Sequence, residues 1–245
     1  MVQAPRRPAL SGPTLVRLLA QLADADFAEP PQSLSDRLSQ WLVWTDAIAL
    51  STALSGQPPA VATGTAGARA FGGDDATNLC TSVRSALTKV IAREHAPAQR
   101  GVRAAAHVAP MDEPAGQVDY GEYRQRHLAI QQTLETEIGQ LRGRLRAMLA
   151  AKTPALARLA AVDAIMERSL GTRERSLLAS VPALLGAHFE RLRAAQAAGE
   201  PEAATATPTG VWLDRFCKDR QSVLLAELEV RFQPVEGLLA ALRAR

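Results

Sequence analysis

Histidines and cysteines are the side chains of this sequence best suited to metal binding or nucleophilic catalysis. The four histidines are His95, His107, His127 and His188, and the two cysteines are Cys80 and Cys217. The histidines stand on separate segments without an HExxH pair, and the cysteines have no CxxC spacing, whereas the ligands of structural zinc usually come in close pairs. We therefore predict no metal site and no disulfide framework, and we expect both thiols to be buried apolar residues.

The sequence also lacks the usual motifs for phosphate binding and for serine hydrolases. The glycine-rich stretch 56–73 does not end in GK[ST] and follows no predicted strand, so it is interpreted as a linker rather than a phosphate cradle. No GxSxG element occurs, and the acidic residues alternate with basic ones as solvated ion pairs do. The sequence predicts neither an enzyme nor a cofactor nor a small-molecule substrate.

Arginines offer a different chemistry, the binding of anions. Arg142 and Arg146 lie four residues apart and so share one helix face, from which they could contact nucleic-acid phosphates or acidic lipids. Basic residues near a helix C-terminus also stabilise the helix dipole, and we prefer that explanation. The other basic region, between Arg84 and Arg103, lacks the interleaved aromatic residues of a single-strand binder.

Two aromatic pairs could anchor a partner protein. Trp41 and Trp44 are three residues apart, and Tyr120 and Tyr123 repeat that spacing, so each pair lies together on a helix. Packing in the core explains both pairs. The alternative is that one pair anchors a partner helix, because tryptophan and tyrosine are enriched at interface hot spots.

The element that positions several of these residues is a long helix predicted from about Val118 to Ala151. Apolar residues recur along it at alternating steps of three and four, which is a coiled-coil-like pattern that also includes His127. Its seam residues are Ile130, Leu134, Ile138, Leu141 and Leu145. A helix this long usually packs along another helix, so we expect the seam to pair with a second copy or with another helix of the chain.

Composition supports a helical protein throughout. Hydrophobic residues make up 47% of the chain but aromatic residues only 4%, with much alanine, which favours closely packed helices over sheets. The net charge is only +3, so charge alone names no partner. Arg17 and Gln21 interrupt the N-terminal apolar stretch, and no apolar run approaches the roughly 20 residues of a membrane span. We expect a cytoplasmic protein.

The remaining helices follow from apolar periodicity and from helix-breaking residues. One helix from Ser11 or Thr14, and a second from Ser33 to Gly56 with apolar residues such as Ile48 and Leu54 at mostly helical spacing, form the predicted N-terminal hairpin. Thr153 and Pro154 start a helix that is predicted to end at Gly171, and Pro182 should divide the following one near Ser180.

The C-terminal segment is predicted as a helix up to Phe232, with Trp212 and Phe216 inward and Arg220 and Glu227 on the polar face. Pro234 is expected to break it before a short final helix. The predicted fold is therefore all-α, a helical bundle with one long coiled-coil-like helix and flexible Pro/Gly/Ala-rich linkers. Its segments are a hairpin at 1–55, a linker at 56–73, a helix at 74–95, a linker at 96–117, the long helix plus a helical hairpin at 118–198, a linker at 199–210, and C-terminal helices packing on the bundle at 211–245.

Four stretches of this sequence resemble an uncharacterised bacterial family known only as a domain of unknown function. They are PRRPALSGPTLVRLLAQL, LSDRLSQWLVWTDAIALSTAL, VDYGEYRQRHLAIQQTLETEIGQLRGRLRAMLA and WLDRFCKDRQSVLLAELEVRFQPVEGLLAALR. The family supplies no catalytic residues to carry over. The resemblance implies genes that lie beside those of stator-like and OmpA-like envelope proteins, and with them a cytoplasmic adaptor for an envelope complex.

The leading hypothesis is a non-enzymatic helical scaffold or adaptor with a protein partner, or with self-association through the seam residues. The alternative is a peripheral binder of nucleic acid or anionic membrane that uses arginine-rich helix faces. Its affinity would fall steeply with salt.

Overall fold

The computed structural model describes residues 14–24, 34–55, 73–105, 119–198 and 209–244, and in these ranges the chain forms eight α-helices and no strand. The helices are α1 Thr14–Ala23, α2 Leu34–Trp41, α3 Trp44–Ser55, α4 Gly73–Ala105, α5 Tyr120–Lys152, α6 Pro154–Leu178, α7 Val181–Ala198 and α8 Thr209–Arg243. The all-α prediction is confirmed. Most of the linkers predicted at 56–73, 96–117 and 199–210 lies outside the described residues.

Three long helices form the centre of the bundle. Near the start of α5 and α8, Arg220 donates to the Tyr123 carbonyl at 3.1 Å, and near their ends Lys152 donates to the Leu242 carbonyl at 2.6 Å, so these two helices run parallel. Helix α4 runs antiparallel to α8, because Arg84 pairs with Glu236 while Arg243 reaches back to Thr77. Helix α6 folds back along α5 on another side.

The buried apolar residues fall into two cores. The first core lies between α4, α5 and α8, and its largest side chains include Leu87, Ile91, Leu134, Leu141, Leu145, Leu149, Leu224 and Phe232. The second core joins α1 and α7 to the beginnings of α5 and α8, and it contains Leu15, Leu22, Tyr123, Val181, Leu185, Phe189, Trp212 and Phe216. Helices α5 and α8 therefore pass through both cores.

Helix ends follow the sequence where a polar cap is present. The Thr153 side chain accepts from the Leu156 amide at 3.2 Å, with Pro154 in the first turn, as the sequence predicts for α6. Helix α6 ends at Leu178 and α7 begins at Val181, so the division predicted near Ser180 is also confirmed. The carboxylate of Asp119 caps α5 by accepting from the Gly121 amide at 3.0 Å.

The predicted stops at Gly171, Pro234 and His95 are wrong. Helix α6 continues through Gly171, α8 continues through Pro234, and the α4 backbone extends to Ala105. Proline at 234 has no N–H, so the Val230 carbonyl loses its usual donor four residues on. The helix nevertheless continues because Val235, Leu238 and Leu242 are buried in the first core, which outweighs the lost hydrogen bond.

The N-terminal hairpin is also corrected. The predicted second helix is divided at residues 42–43 into α2 and α3, and both pack against α6, whereas α1 packs against α7 and α8. Ile48 and Leu54, two of the apolar residues at helical spacing, are 50% and 66% exposed. Periodicity locates an apolar face but not the neighbour that covers it.

Candidate functional site

The predicted seam is a packing surface inside this chain. Ile130, Leu134, Ile138, Leu141 and Leu145 are between 0% and 4% exposed and belong to the first core. Their partners are helices α4 and α8 of the same chain, which is one of the two alternatives left open by the sequence. The seam therefore offers no surface to another molecule while the chain is folded, and self-association through it is not available.

Arg142 and Arg146 are likewise occupied. Arg142 lies 2.7 Å from Asp163, and Arg146 lies 2.9 Å from Asp163 and 2.5 Å from Glu167, so two arginines of α5 are bound by two carboxylates of α6. Burial alone would lower the pKa of Arg146, but the two carboxylates more than offset it and hold the pKa above its usual value. Neither the predicted anion contact nor the helix-dipole explanation describes these side chains, because they join α5 to α6.

The tyrosine pair belongs to the second core. Tyr120 donates from its hydroxyl to the Pro182 carbonyl, and the Tyr123 ring packs edge-on against Phe216 with centroids 5.4 Å apart. A Cβ at Gly186 would lie 2.9 Å from the Tyr120 ring, so this glycine permits the close approach of α7. Of the predicted aromatic anchors, Tyr120 and Tyr123 are thus core residues.

Burial raises the pKa of Tyr123 to about 12, with the neighbouring Cys217 contributing. Because the pKa is about 10 in an unfolded chain, the protonated phenol stabilises the fold fully below pH 10, and this stability is lost as pH rises toward 12. We expect the free energy of unfolding to fall by up to about 3 kcal/mol more in the native protein than in Tyr123→Phe across this window. Urea titrations at stepwise pH would measure it, and parallel losses in both proteins would contradict the assignment to Tyr123.

A buried polar network, absent from the sequence-based predictions, lies between the two cores. His127 Nε2 is 3.1 Å from Glu227 Oε1, and the Gln131 amide donates to Glu227 Oε2 at 2.9 Å and to the Leu178 carbonyl at 3.2 Å. Glu227 and His127 are both fully buried. The prediction that Glu227 and Arg220 lie on a polar face is wrong, because Arg220 is also buried, with its guanidinium over the Tyr123 ring.

One sequence signal could have revealed this network. Glu227 follows Val223 by four residues and Leu224 by three, which places it on the apolar face of α8, and His127 occupies a seam position of α5. Two polar residues on facing apolar stripes indicate a buried pair. His127 Nδ1 has no hydrogen-bond partner among the described residues, so Glu227 is the only side chain shown to bond to this ring.

Thiols and metal ligands add no reactive centre to the described helices. Cys80 and Cys217 are buried as predicted, and burial raises the pKa of both thiols, which disfavours the reactive thiolate. His188 Nε2 lies 2.8 Å from Asp219, but no group of three potential metal ligands occurs in the described ranges. None of the eight helices combines the length and apolarity that a bilayer span requires.

A large open cleft of about 960 Å³ lies between α2, α5, α6 and α8. Its walls contain Trp41 from α2, apolar side chains such as Ile138, Met166 and Leu170, five arginines and four carboxylates. No histidine, cysteine, lysine or tyrosine lines it. These walls can bind a charged group through the arginines or carboxylates and an apolar group beside it.

The other candidate surface is an apolar face on α3, which we call the α3 face. It consists of Trp44, Ile48 and Leu54, which are 79%, 50% and 66% exposed, together with Val43 just before the helix, which is 61% exposed. The predicted tryptophan pair is therefore separated: Trp41 lines the cleft and Trp44 faces outward. The guanidinium carbon of Arg173 lies 5.5 Å from the centre of the Trp41 ring. Trp44 is thus not a core residue, although core packing was the preferred explanation of the pair.

Fold and surfaces together define an all-α bundle with a buried polar layer, an open charged cleft and an apolar outer helix. The chain belongs to the family described as "Protein of unknown function (DUF3348)", whose model matches residues 1–244. This confirms the resemblance seen in the sequence. Comparison with curated proteins and with solved structures gave no match.

Proposed function

We propose that this protein is a helical adaptor that binds a helix of a partner protein through the α3 face. The observation that carries the proposal is the exposure of Trp44 together with Ile48, one turn further along the same helix. Exposed large apolar residues scattered singly are ordinary, whereas a contiguous group on one helix marks an interaction site.

The composition of α3 supports this proposal. The helix contains Asp46 as its one charged residue, and Ala49, Leu50 and Ala53 are already half-buried on the side that meets α6. The exposed side also carries the large apolar residues Trp44, Ile48 and Leu54, which gain stability when they are covered. Because α6 covers one side, the outer side is available to a second protein.

Two of the four hydroxyl side chains on α3 already have hydrogen-bond partners. Thr52 Oγ1 donates to the Ile48 carbonyl at 2.9 Å, and the Ser55 hydroxyl donates to the Ser51 carbonyl. These donors are therefore satisfied within the helix and would lose little when water leaves. Ala47 and Ser51, which lie between Trp44 and Leu54 around the helix, are small enough for a partner helix to approach closely.

The resemblance makes a protein of an envelope complex the first partner to test, with the adaptor on the cytoplasmic side. The alternative, peripheral binding of nucleic acid or anionic membrane through Arg142 and Arg146, has less support because both side chains are ion-paired within the bundle.

A photo-crosslinking residue at position 44, introduced in native cells, is expected to give a defined adduct, and mass spectrometry would identify the partner. The same residue at Val211, which is 72% exposed on α8, is the matched control and should give no such adduct. For the identified partner, Trp44→Ser should weaken binding by about thirtyfold, as loss of a hot-spot tryptophan does, while Val211→Ser should not. Equal affinities of the two variants would refute the proposal.

A further inference from the structure

We propose that the cleft between α2, α5, α6 and α8 is a second binding site, and that it takes an acidic peptide segment of a partner protein. The site does not depend on the α3 face. It is inferred from two properties of the cleft: its charge balance and its apolar lining.

The charge balance leaves two arginines without a carboxylate. Among the residues that line the cleft, Glu135 pairs with Arg175 at 3.6 Å and Glu174 pairs with Arg231 at 3.3 Å. The two remaining carboxylates, on Asp163 and Glu167, are shared by Arg142 and Arg146.

Arg168 and Arg173 are exposed at the mouth and have no ion pair with any described residue. Arg173 instead lies over Trp41, an arrangement that holds a guanidinium in place without neutralising it. The mouth of the cleft therefore carries two uncompensated positive charges, which attract an acidic ligand.

The walls also contain polar groups that lack partners. Arg231 has a side chain only 6% exposed, and its Nε–H, like that of Arg142, has no acceptor in the described structure. On the same wall, Pro234 deprives the Val230 carbonyl of its intrahelical donor. Both Nε atoms are closed to solvent, so they do not contact a ligand directly, and the charge balance and the apolar lining carry the proposal.

The apolar lining of the cleft favours a peptide over a free anion. Met166, Leu170 and Leu177 line the cleft, so an apolar side chain beside an acidic one would bury surface there, whereas inorganic phosphate or free glutamate would leave these residues uncovered. The volume of about 960 Å³ accommodates several residues. A peptide and a free anion would both bind to the arginines, but only the peptide would also gain the apolar contact.

Fluorescence anisotropy of the full-length protein with a labelled Glu/Leu/Ala peptide would test the proposal. We expect saturable binding that weakens about tenfold when glutamine replaces the glutamates, and again when salt rises from about 50 to about 300 mM. The double variant Arg168→Ser/Arg173→Ser should weaken binding by about tenfold. Arg93→Ser, which changes an exposed arginine outside the cleft, is the control and should bind as the native protein does.

Several results would overturn this inference. They are equal affinities for the glutamate and glutamine peptides, unchanged binding by the double variant, or no saturable binding at all. Displacement of the peptide by free glutamate or inorganic phosphate at equal concentration would also overturn it, since the site would then recognise small anions. Trp44→Ser should leave peptide binding intact, so failure of the α3 proposal and failure of this one can be distinguished.

Discussion

Replacement of Leu134 by aspartate is expected to unfold this protein rather than to separate two copies of it. Leu134 is completely buried in the first core, where α4, α5 and α8 meet. An aspartate there would lose the packing of a large apolar side chain and place an unpaired carboxylate among apolar groups, at a cost of more than about 4 kcal/mol. Circular dichroism should show loss of helix at 25 °C, or a large fall in melting temperature.

Leu134→Met provides the matched control, because a volume-conserving apolar exchange costs less than about 1.5 kcal/mol. Light scattering during chromatography should give the same mass for this variant and for the native protein. If Leu134→Asp kept its helix content and instead halved the mass, the seam residues would be an interface between copies, and the packing of α5 against α4 and α8 would be refuted.

The second large effect is expected at the buried carboxylate of α8. Glu227→Ala would leave the Gln131 amide and the His127 ring without their common acceptor and would open a cavity between the cores. We expect a loss of about 3–5 kcal/mol in the free energy of unfolding. For a chain of this size, that corresponds to a fall of about 10 °C in melting temperature, which calorimetry would measure.

Two further variants make this result specific to the network. Glu229→Ala changes an exposed carboxylate two residues along α8 and should alter stability by less than about 0.5 kcal/mol. A triple variant with leucine at 127, 131 and 227 should regain much of the stability, because apolar groups of similar volume need no hydrogen-bond partners. A Glu227→Ala protein as stable as Glu229→Ala would show that the network contributes nothing.

Most of the helices could be predicted from the sequence because their signals are local. Periodic leucines mark the seam of α5, and Thr153 with Pro154 marks the start of α6. The stops at Gly171 and Pro234 failed because a local preference of about 1–3 kcal/mol was outweighed by packing against distant helices. Such packing cannot be read from a stretch of neighbouring residues.

The candidate surfaces were less accessible to prediction. Trp41 and Trp44 were identified as a pair, but their separation, one in the cleft and one facing outward, depends on the division between α2 and α3. The cleft itself joins residues of four helices that are far apart in sequence. Arg142 and Arg146 were identified as cations, yet the carboxylates that they hydrogen-bond lie 17 to 21 residues along the chain, on α6.

The polar layer of His127, Gln131 and Glu227 also fixes the register of two parallel helices. Apolar stripes alone would let α8 slide along α5, because leucine packs comparably well against leucine one turn away. A slip of about 5.4 Å in one direction would bring the Glu227 carboxylate toward Leu134, and in the other direction would take it away from Gln131. Either slip separates the buried Glu227 carboxyl group from one of its two polar partners. One glutamate thus restricts a repetitive interface to a single alignment, and that alignment keeps Trp212 and Phe216 in the second core while Leu238 and Leu242 reach the first.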